Sequence, residues 1–421
     1  MKEIVYYLFL FLIVFCLPEP LIHADIASRN YLPIGDRSAL MANTAVADDL
    51  TAMGVLFNPG TLAFARKNKI ALSGSLYFKY SVTYDPYPVY QSYGQSITFS
   101  GFNSIPNSVV SLYRFGSHVV ALSVLIPDYS EVSAVQKVEQ TGISGVMQLN
   151  TREQDLWLGA SWSYRLAESF SIGTTAFSTH YSRYTASNLQ AELSSAPGNS
   201  HISKAETTNA TAHSLVLVAG IYYQPGTQLA LGLKVTAPSL RLQGSGEYFL
   251  QDKVISGSTV TNQTEQKADT AFYYSRPADF SLGARYAMGI LSAYLDLGLQ
   301  FPISYDEFPG ATKPQQFSRN FLPKASAGVD ITLRNNLNLL SGISWIPSAQ
   351  APLETRSETR YRLNDLMATL GLVYADGFLK LGIGGFVIYG SGKQLLDSVN
   401  NISGQLTIRG YGALLSSAYE F

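Results

Sequence analysis

The chain has 421 residues, a formal net charge of −1 and one cysteine, Cys16. That charge gives no electrostatic case for nucleic acid, and a lone cysteine excludes disulfides and cysteine-built metal sites. Charged residues make up only 14%, against about 25% in ordinary soluble domains. Aromatics reach 12%, with 27 Tyr, beside 34 Gly, a composition suited to an outer surface that faces lipid.

Residues 1–24 read as a secretory signal. Lys2 precedes the apolar run Ile4–Leu17, and Ala24 is a suitable last residue before cleavage. Cys16 lies inside that run without the small residues a lipidation site wants, so the mature chain would carry no thiol. No later stretch has the eighteen or so apolar residues of a membrane helix. A secreted chain of lipid-like composition without such a helix points to a β-barrel.

Residues 25–68 read as a plug, or hatch. Ala39–Phe64 carries small apolar residues at helical spacing, the pair Asp48–Asp49, and then Asn58–Pro59–Gly60. From Lys69 to Phe421 the period changes to two. Leu291, Ala293, Leu295, Leu297 and Leu299 alternate with Ser292, Tyr294, Asp296, Gly298 and Gln300, and similar runs recur. In a barrel the aliphatic face meets lipid and the small or polar face lines the lumen. Fourteen runs begin near Lys69, Ser108, His118, Gln154, Ser169, His213, Thr227, Ala278, Gly289, Ala325, Asn335, Asp365, Gly377 and Gln405. Short connections, such as Gln224–Gly226 and Ala375–Gly377, alternate with long polar ones, such as Thr185–Ala212 and Ala237–Arg276. The fold class expected is therefore all-β: a 14-stranded antiparallel transmembrane barrel with a partly helical N-terminal hatch in its lumen. An even strand count sets both termini on the periplasmic side, with the short turns.

Aromatic residues gather where strands end. Tyr113, Phe115, Tyr164, Phe170, Tyr222, Tyr223, Tyr286, Tyr374 and Phe378 flank the short turns; Tyr80, Trp157, Tyr181, Phe301, Trp345 and Tyr389 lie toward the long loops. They would form the two girdles of a membrane barrel. The final alternating strand ends on Phe421, the form of terminal strand that outer-membrane assembly machinery reads.

Each candidate residue has two readings. Asn58–Pro59 stops a helix, and Asn58 would also satisfy orphan groups of a packed hatch. Asp48 and Asp49 would either face water or pair with lumen cations, since isolated buried charge is costly. Arg165, Lys234, Arg285, Asp296, Asp330, Arg334 and Lys380 have lumen parity and would form mutual ion pairs; Lys234 and Arg285 are also the candidates to greet a ligand carboxylate. No catalytic set, metal cluster or cofactor motif stands out.

Two stretches carry a resemblance to the FadL family of outer-membrane channels. One is Ala45–Val46–Ala47–Asp48–Asp49 followed by Phe57–Asn58–Pro59–Gly60, where Gly60 stands in place of the family's usual Ala. The other is Ile105–Pro106 through Pro127, with Leu122–Pro127 closing the third strand. The resemblance implies passive uptake of hydrophobic molecules, chiefly long-chain fatty acids and in some branches aromatic hydrocarbons. Ligand would be caught near the long loops and held in an apolar pocket above the hatch. Hatch movement would release it sideways through a gap at a kinked third strand, here His118–Ile126, which contains no glycine. Two other roles fit a plugged barrel: an assembly, secretion or adhesion component, and a general porin. Uptake predicts a continuous apolar pocket above Asn58; a docking role predicts a filled lumen and ordered external loops.

Overall fold

The computed structural model describes residues 32–89, 92–140, 143–195, 198–256, 259–309, 316–347, 361–397 and 402–421. The expected signal segment, 1–24, lies outside them. In chain order the strands are β1 (Lys69–Val89), β2 (Ser92–Phe115), β3 (His118–Gln140), β4 (Ile143–Ala167), β5 (Phe170–Ser195), β6 (Gly198–Tyr223), β7 (Leu229–Thr236), β8 (Leu240–Ser256), β9 (Thr259–Ala271), β10 (Asp279–Met288), β11 (Leu291–Gln300), β12 (Ile303–Asp306), β13 (Gln316–Arg319), β14 (Leu322–Arg334), β15 (Leu337–Ile346), β16 (Tyr361–Asp376), β17 (Leu379–Asp397) and β18 (Ile402–Glu420).

Fourteen of these close an antiparallel barrel: β1–β7, β10, β11 and β14–β18. Closure is made by β1 on β18, from Lys69 opposite Glu420 to Asp85 opposite Gln405. The short turns at one end fall where the sequence places them, and Gly116, Gly289 and Gly377 take the positive φ that a two-residue reversal requires. At the other end the expected long loops are largely strand. β5 and β6 pair without interruption up to Ser195 opposite Gly198. β8 and β9 form a further hairpin on the upper half of β6, and β12 and β13 form another. In this extension the buried positions are small or polar, such as Ala191, Thr208, Ala210 and Ala212, so the aliphatic alternation disappears while pairing continues.

Leu122, Leu158, Leu217, Leu231, Leu297, Leu370 and Ile383 stand exposed on the outer wall, a continuous apolar band that water would not tolerate. Rings on the outside, including Phe115, Tyr286, Phe378 and Tyr419 near the short turns, match the expected girdle. Tyr80, Trp157, Tyr181 and Tyr222 do not: their strand parity turns them into the lumen, where each is buried. No helix among the described residues is long and apolar enough to cross a membrane.

Candidate functional site

The hatch is a coil from Leu32 to Asn68 with three short helical turns among the described residues: Ser38–Met41, Gly54–Phe57 and Pro59–Phe64. Almost every residue from Leu32 to Ala63 is buried inside the barrel. Small residues are required because the hatch backbone lies directly on the wall. The wall answers with a belt of glycines at one level. A Cβ on Gly173 would come within 2.4 Å of Pro59, and one on Gly220 within 2.0 Å of the Asn58 side chain. Continuing around, a Cβ on Gly232 would meet the Val46 carbonyl at 2.0 Å, and one on Gly342 the Met41 backbone at 2.2 Å. Gly371 and Gly384, which face each other across β16 and β17, clear space for Leu40.

Asn58 ties this contact together. Its Nδ2 donates to the Val46 carbonyl at 2.8 Å and to the Ile221 carbonyl of β6 at 2.9 Å. Its Oδ1 accepts from the Gly60 N–H at 3.0 Å, capping the last turn, where Pro59 holds the first position. The Gly60 carbonyl in turn accepts from Ser171 Oγ at 2.7 Å.

The charges are paired between hatch and wall. Arg37 lies between Asp48 (3.3 Å) and Asp330 of β14 (2.8 Å), all three buried. Burial pushes the Asp48 carboxyl above its usual range, and the Arg37 guanidinium opposes that shift. Asp49 pairs with Arg285 of β10. Asp296 of β11 accepts from the N–H groups of Ala45 (2.7 Å) and Val46 (3.0 Å). Lys234 of β7 lies 3.0 Å from Asp279, which Lys324 also contacts. Of the remaining lumen-parity charges, Lys380 bonds Glu420 at 2.6 Å and Arg165 covers the Phe64 ring at 4.3 Å. Thus Arg285 is engaged by the hatch itself, while Lys234 and Lys324 share one carboxylate.

Beside this pair lies a cavity of about 80 Å³, bounded by Asn43, Val46 and Phe57 of the hatch and by Lys234, Asp296 and Lys324 of the wall. It is smaller than the roughly 150 Å³ that admits a benzene ring. An apolar wall runs from the hatch toward the long-hairpin end along Phe78, Val82, Phe386, Ile388 and Ile408, but these side chains pack on one another. Among the described residues the apolar wall is thus packed on itself. Above it, Arg276 reaches across to Asp155 of β4 at 2.6 Å and covers Trp157 at 4.9 Å. Tyr181 and Tyr274 stack at 3.8 Å, and Arg183 grips Glu307 through two bonds, so the long-hairpin end is roofed.

One seam in the wall is incomplete. Among the described residues β2 pairs β3 only from Phe115 opposite His118 to Ser108 opposite Leu125. Beyond it β2 stays on β1, β3 stays on β4, and the β3–β4 register shifts between Leu125 and Asp128. Extending the β2–β3 register by two residues would set Pro106 opposite Pro127. Neither proline has an N–H to give the ladder. The absence of glycine in His118–Ile126 is thus no guide to this seam; a facing pair of prolines marks where the ladder stops. The foot of the seam is held by the hatch: Leu32 N–H donates to the Pro127 carbonyl at 3.2 Å, and Asn107 Nδ2 to the Pro33 carbonyl at 2.7 Å. Sequence reasoning also missed the glycine belt, although Gly173, Gly220, Gly232, Gly342, Gly371 and Gly384 at lumen parity were there to be read.

No family model matches the chain, and no curated protein matches it. Solved structures do. A FadL homologue from Pseudomonas aeruginosa superposes with a TM-score of 0.64 at 14% identity, over 93% of this chain and 100% of that one. The toluene transporter TbuX of Ralstonia pickettii gives 0.58 at 14% identity, over 93% and 99%. The toluene transporter TodX of P. putida gives 0.60, also at 14%, over 93% and 99%. Over nearly its whole length, then, the chain has the fold of the FadL-type channels.

Proposed function

We propose that the chain is a bacterial outer-membrane channel for passive uptake of hydrophobic compounds, with both termini periplasmic and long-chain fatty acids as its first class of ligand. The observation that carries this reading is the apolar lumen wall, Phe78 to Ile408, leading to an unzipped seam between β2 and β3. An acyl chain gains about 0.8 kcal/mol per buried CH2, so such a wall draws it from water once the roof opens. Lys234 and Lys324, two cations around one carboxylate, are the groups to meet a ligand carboxylate. Because the cavity is too small for a ring, binding must displace hatch or wall side chains, and hatch movement then passes the ligand to the seam. Outer-membrane lipid covers the apolar band, and the strand ending at Phe421 is the segment for the barrel-assembly machinery to recognise.

Fatty acids and toluene, the compound in the names of two structural neighbours, separate in one experiment. Binding to the detergent-purified protein is followed by the intrinsic fluorescence of its three Trp, of which Trp157 is buried. Replacing both Lys234 and Lys324 by Met should weaken fatty-acid binding about tenfold or more and leave toluene binding unchanged. Loss of neither would remove the carboxylate assignment. A second reading, a docking or assembly component of the same fold, is favoured by the self-packed apolar wall and the ordered β5–β6 and β8–β9 hairpins. Absence of saturable binding for both compound classes would select it.

A further inference from the structure

Above Pro106 and Pro127 β2 and β3 have no backbone ladder among the described residues, yet the two strands stay together. Tyr80 of β1 sits directly opposite Gly101 of β2. With no side chain on Gly101, the Tyr80 ring crosses β2 and arrives at β3. A Cβ on Gly101 would lie 2.5 Å from the Tyr80 ring, from its hydroxyl and from the Glu131 carbonyl. The hydroxyl accepts from the Glu131 N–H at 3.0 Å and donates to the Glu131 carbonyl. One side chain thus takes both main-chain groups of a β3 residue that has no β2 partner. Tyr80 is buried, with Phe78 stacked on it at 5.2 Å. A lighter stitch lies higher, where Gln136 Nε2 donates to the Thr98 carbonyl at 3.0 Å.

We infer that Tyr80 is the latch of the lateral portal: its hydroxyl replaces the missing ladder, and the wall opens when that ring swings out of the Gly101 notch. The inference rests on the uptake reading above for its purpose, but not for its geometry. Opening a continuous ladder would break many bonds at once, whereas this wall needs two or three side-chain bonds to give. Phe99, Ile126 and Met147 would line the opening and suit apolar solutes, with Asn103 and Glu131 as its polar groups.

The test uses the full chain carrying Tyr80→Phe, and separately Gly101→Ala, whose methyl displaces the ring. Hydrogen exchange of the Glu131 amide reads the latch directly, and uptake of labelled fatty acid or toluene reads its use. Tyr80→Phe should speed exchange at Glu131 about three- to tenfold, the worth of one hydrogen bond, and raise the uptake rate by a similar factor. A cross-link between Thr98→Cys and Gln136→Cys, in a chain whose Cys16 is replaced by Ser, should abolish uptake. Unchanged exchange in both single variants overturns the latch. Faster exchange in a protein that takes up nothing, even unmodified, keeps the latch and sinks the transport reading. Faster exchange with uptake unaffected by both Tyr80→Phe and the cross-link overturns its role as a gate.

Discussion

The glycine belt and the β2–β3 seam are both made by leaving something out of a strand. At the belt the omitted group is a side chain, and the result is tighter contact: the hatch backbone presses on Gly173, Gly220, Gly232 and Gly342. At the seam the omitted group is the amide hydrogen of Pro106 and Pro127, and the result is looser contact, with side chains standing in for the ladder. The belt spans β5 to β17 and is reinforced by buried ion pairs, whereas the bonds described across the seam are between neutral groups. A barrel built this way is rigid along most of its circumference and compliant along one line. The compliant line is also where Leu32 and Pro33 of the hatch bond the wall.

The contrast can be broken from either side. The largest effect should follow Arg37→Ala, which strands Asp48 and Asp330 in a buried site. Removing one partner of a buried pair costs about 3–5 kcal/mol, so the midpoint of chaotrope unfolding should fall sharply. Next comes Gly220→Ala, whose new methyl overlaps the Asn58 side chain; overpacking of about 1–3 kcal/mol should loosen the hatch, seen as faster exchange at the Gly60 amide. Asn58→Ala removes three hydrogen bonds and leaves the Val46 carbonyl short of its partner, for about 1–3 kcal/mol. It should release the hatch while leaving strand content unchanged by circular dichroism. Restoring amides to the seam, with Pro106→Val and Pro127→Val together, should act in the opposite sense. The ladder would lengthen, stability would rise by about 1 kcal/mol, and uptake would fall if the seam is the exit. The smallest effect should be Ser171→Ala, about 0.5–1 kcal/mol for one bond to the Gly60 carbonyl, detectable only as a small midpoint shift.

Much of the fold is written in period two. The runs expected from Lys69, His118 and the short-turn ends of the later strands coincide with strands because lipid on one side and lumen on the other enforce alternation. Above Thr185 no lipid enforces an aliphatic face, and the continuous strand β5 reads as polar loop. Aromatic position alone also misled at Tyr222 and Trp157, because distance from a turn says nothing about which face a ring is on; parity does. In the hatch, Asn58 and Asp49 meet the wall through partners some 160 and 230 residues away, which no local pattern contains. The seam was half legible. Pro106 and Pro127 were visible as separate residues, but only the β2–β3 register makes them face each other.

The closure of β1 on β18 carries a consequence for how the molecule is made. Lys69, the first residue after the hatch, pairs with Glu420, the last residue but one. The ring can therefore shut only once β18 follows the thirteen other wall strands, and contacts so distant in sequence form slowly. A hatch whose backbone rests on the glycines of β5 to β17 has little room to pass those strands once the ring is shut, so the close fit favours a hatch seated before closure, a mandrel for the curling sheet. Mutations that weaken its seating should then lower the yield of closed barrels before they change any property of a finished one.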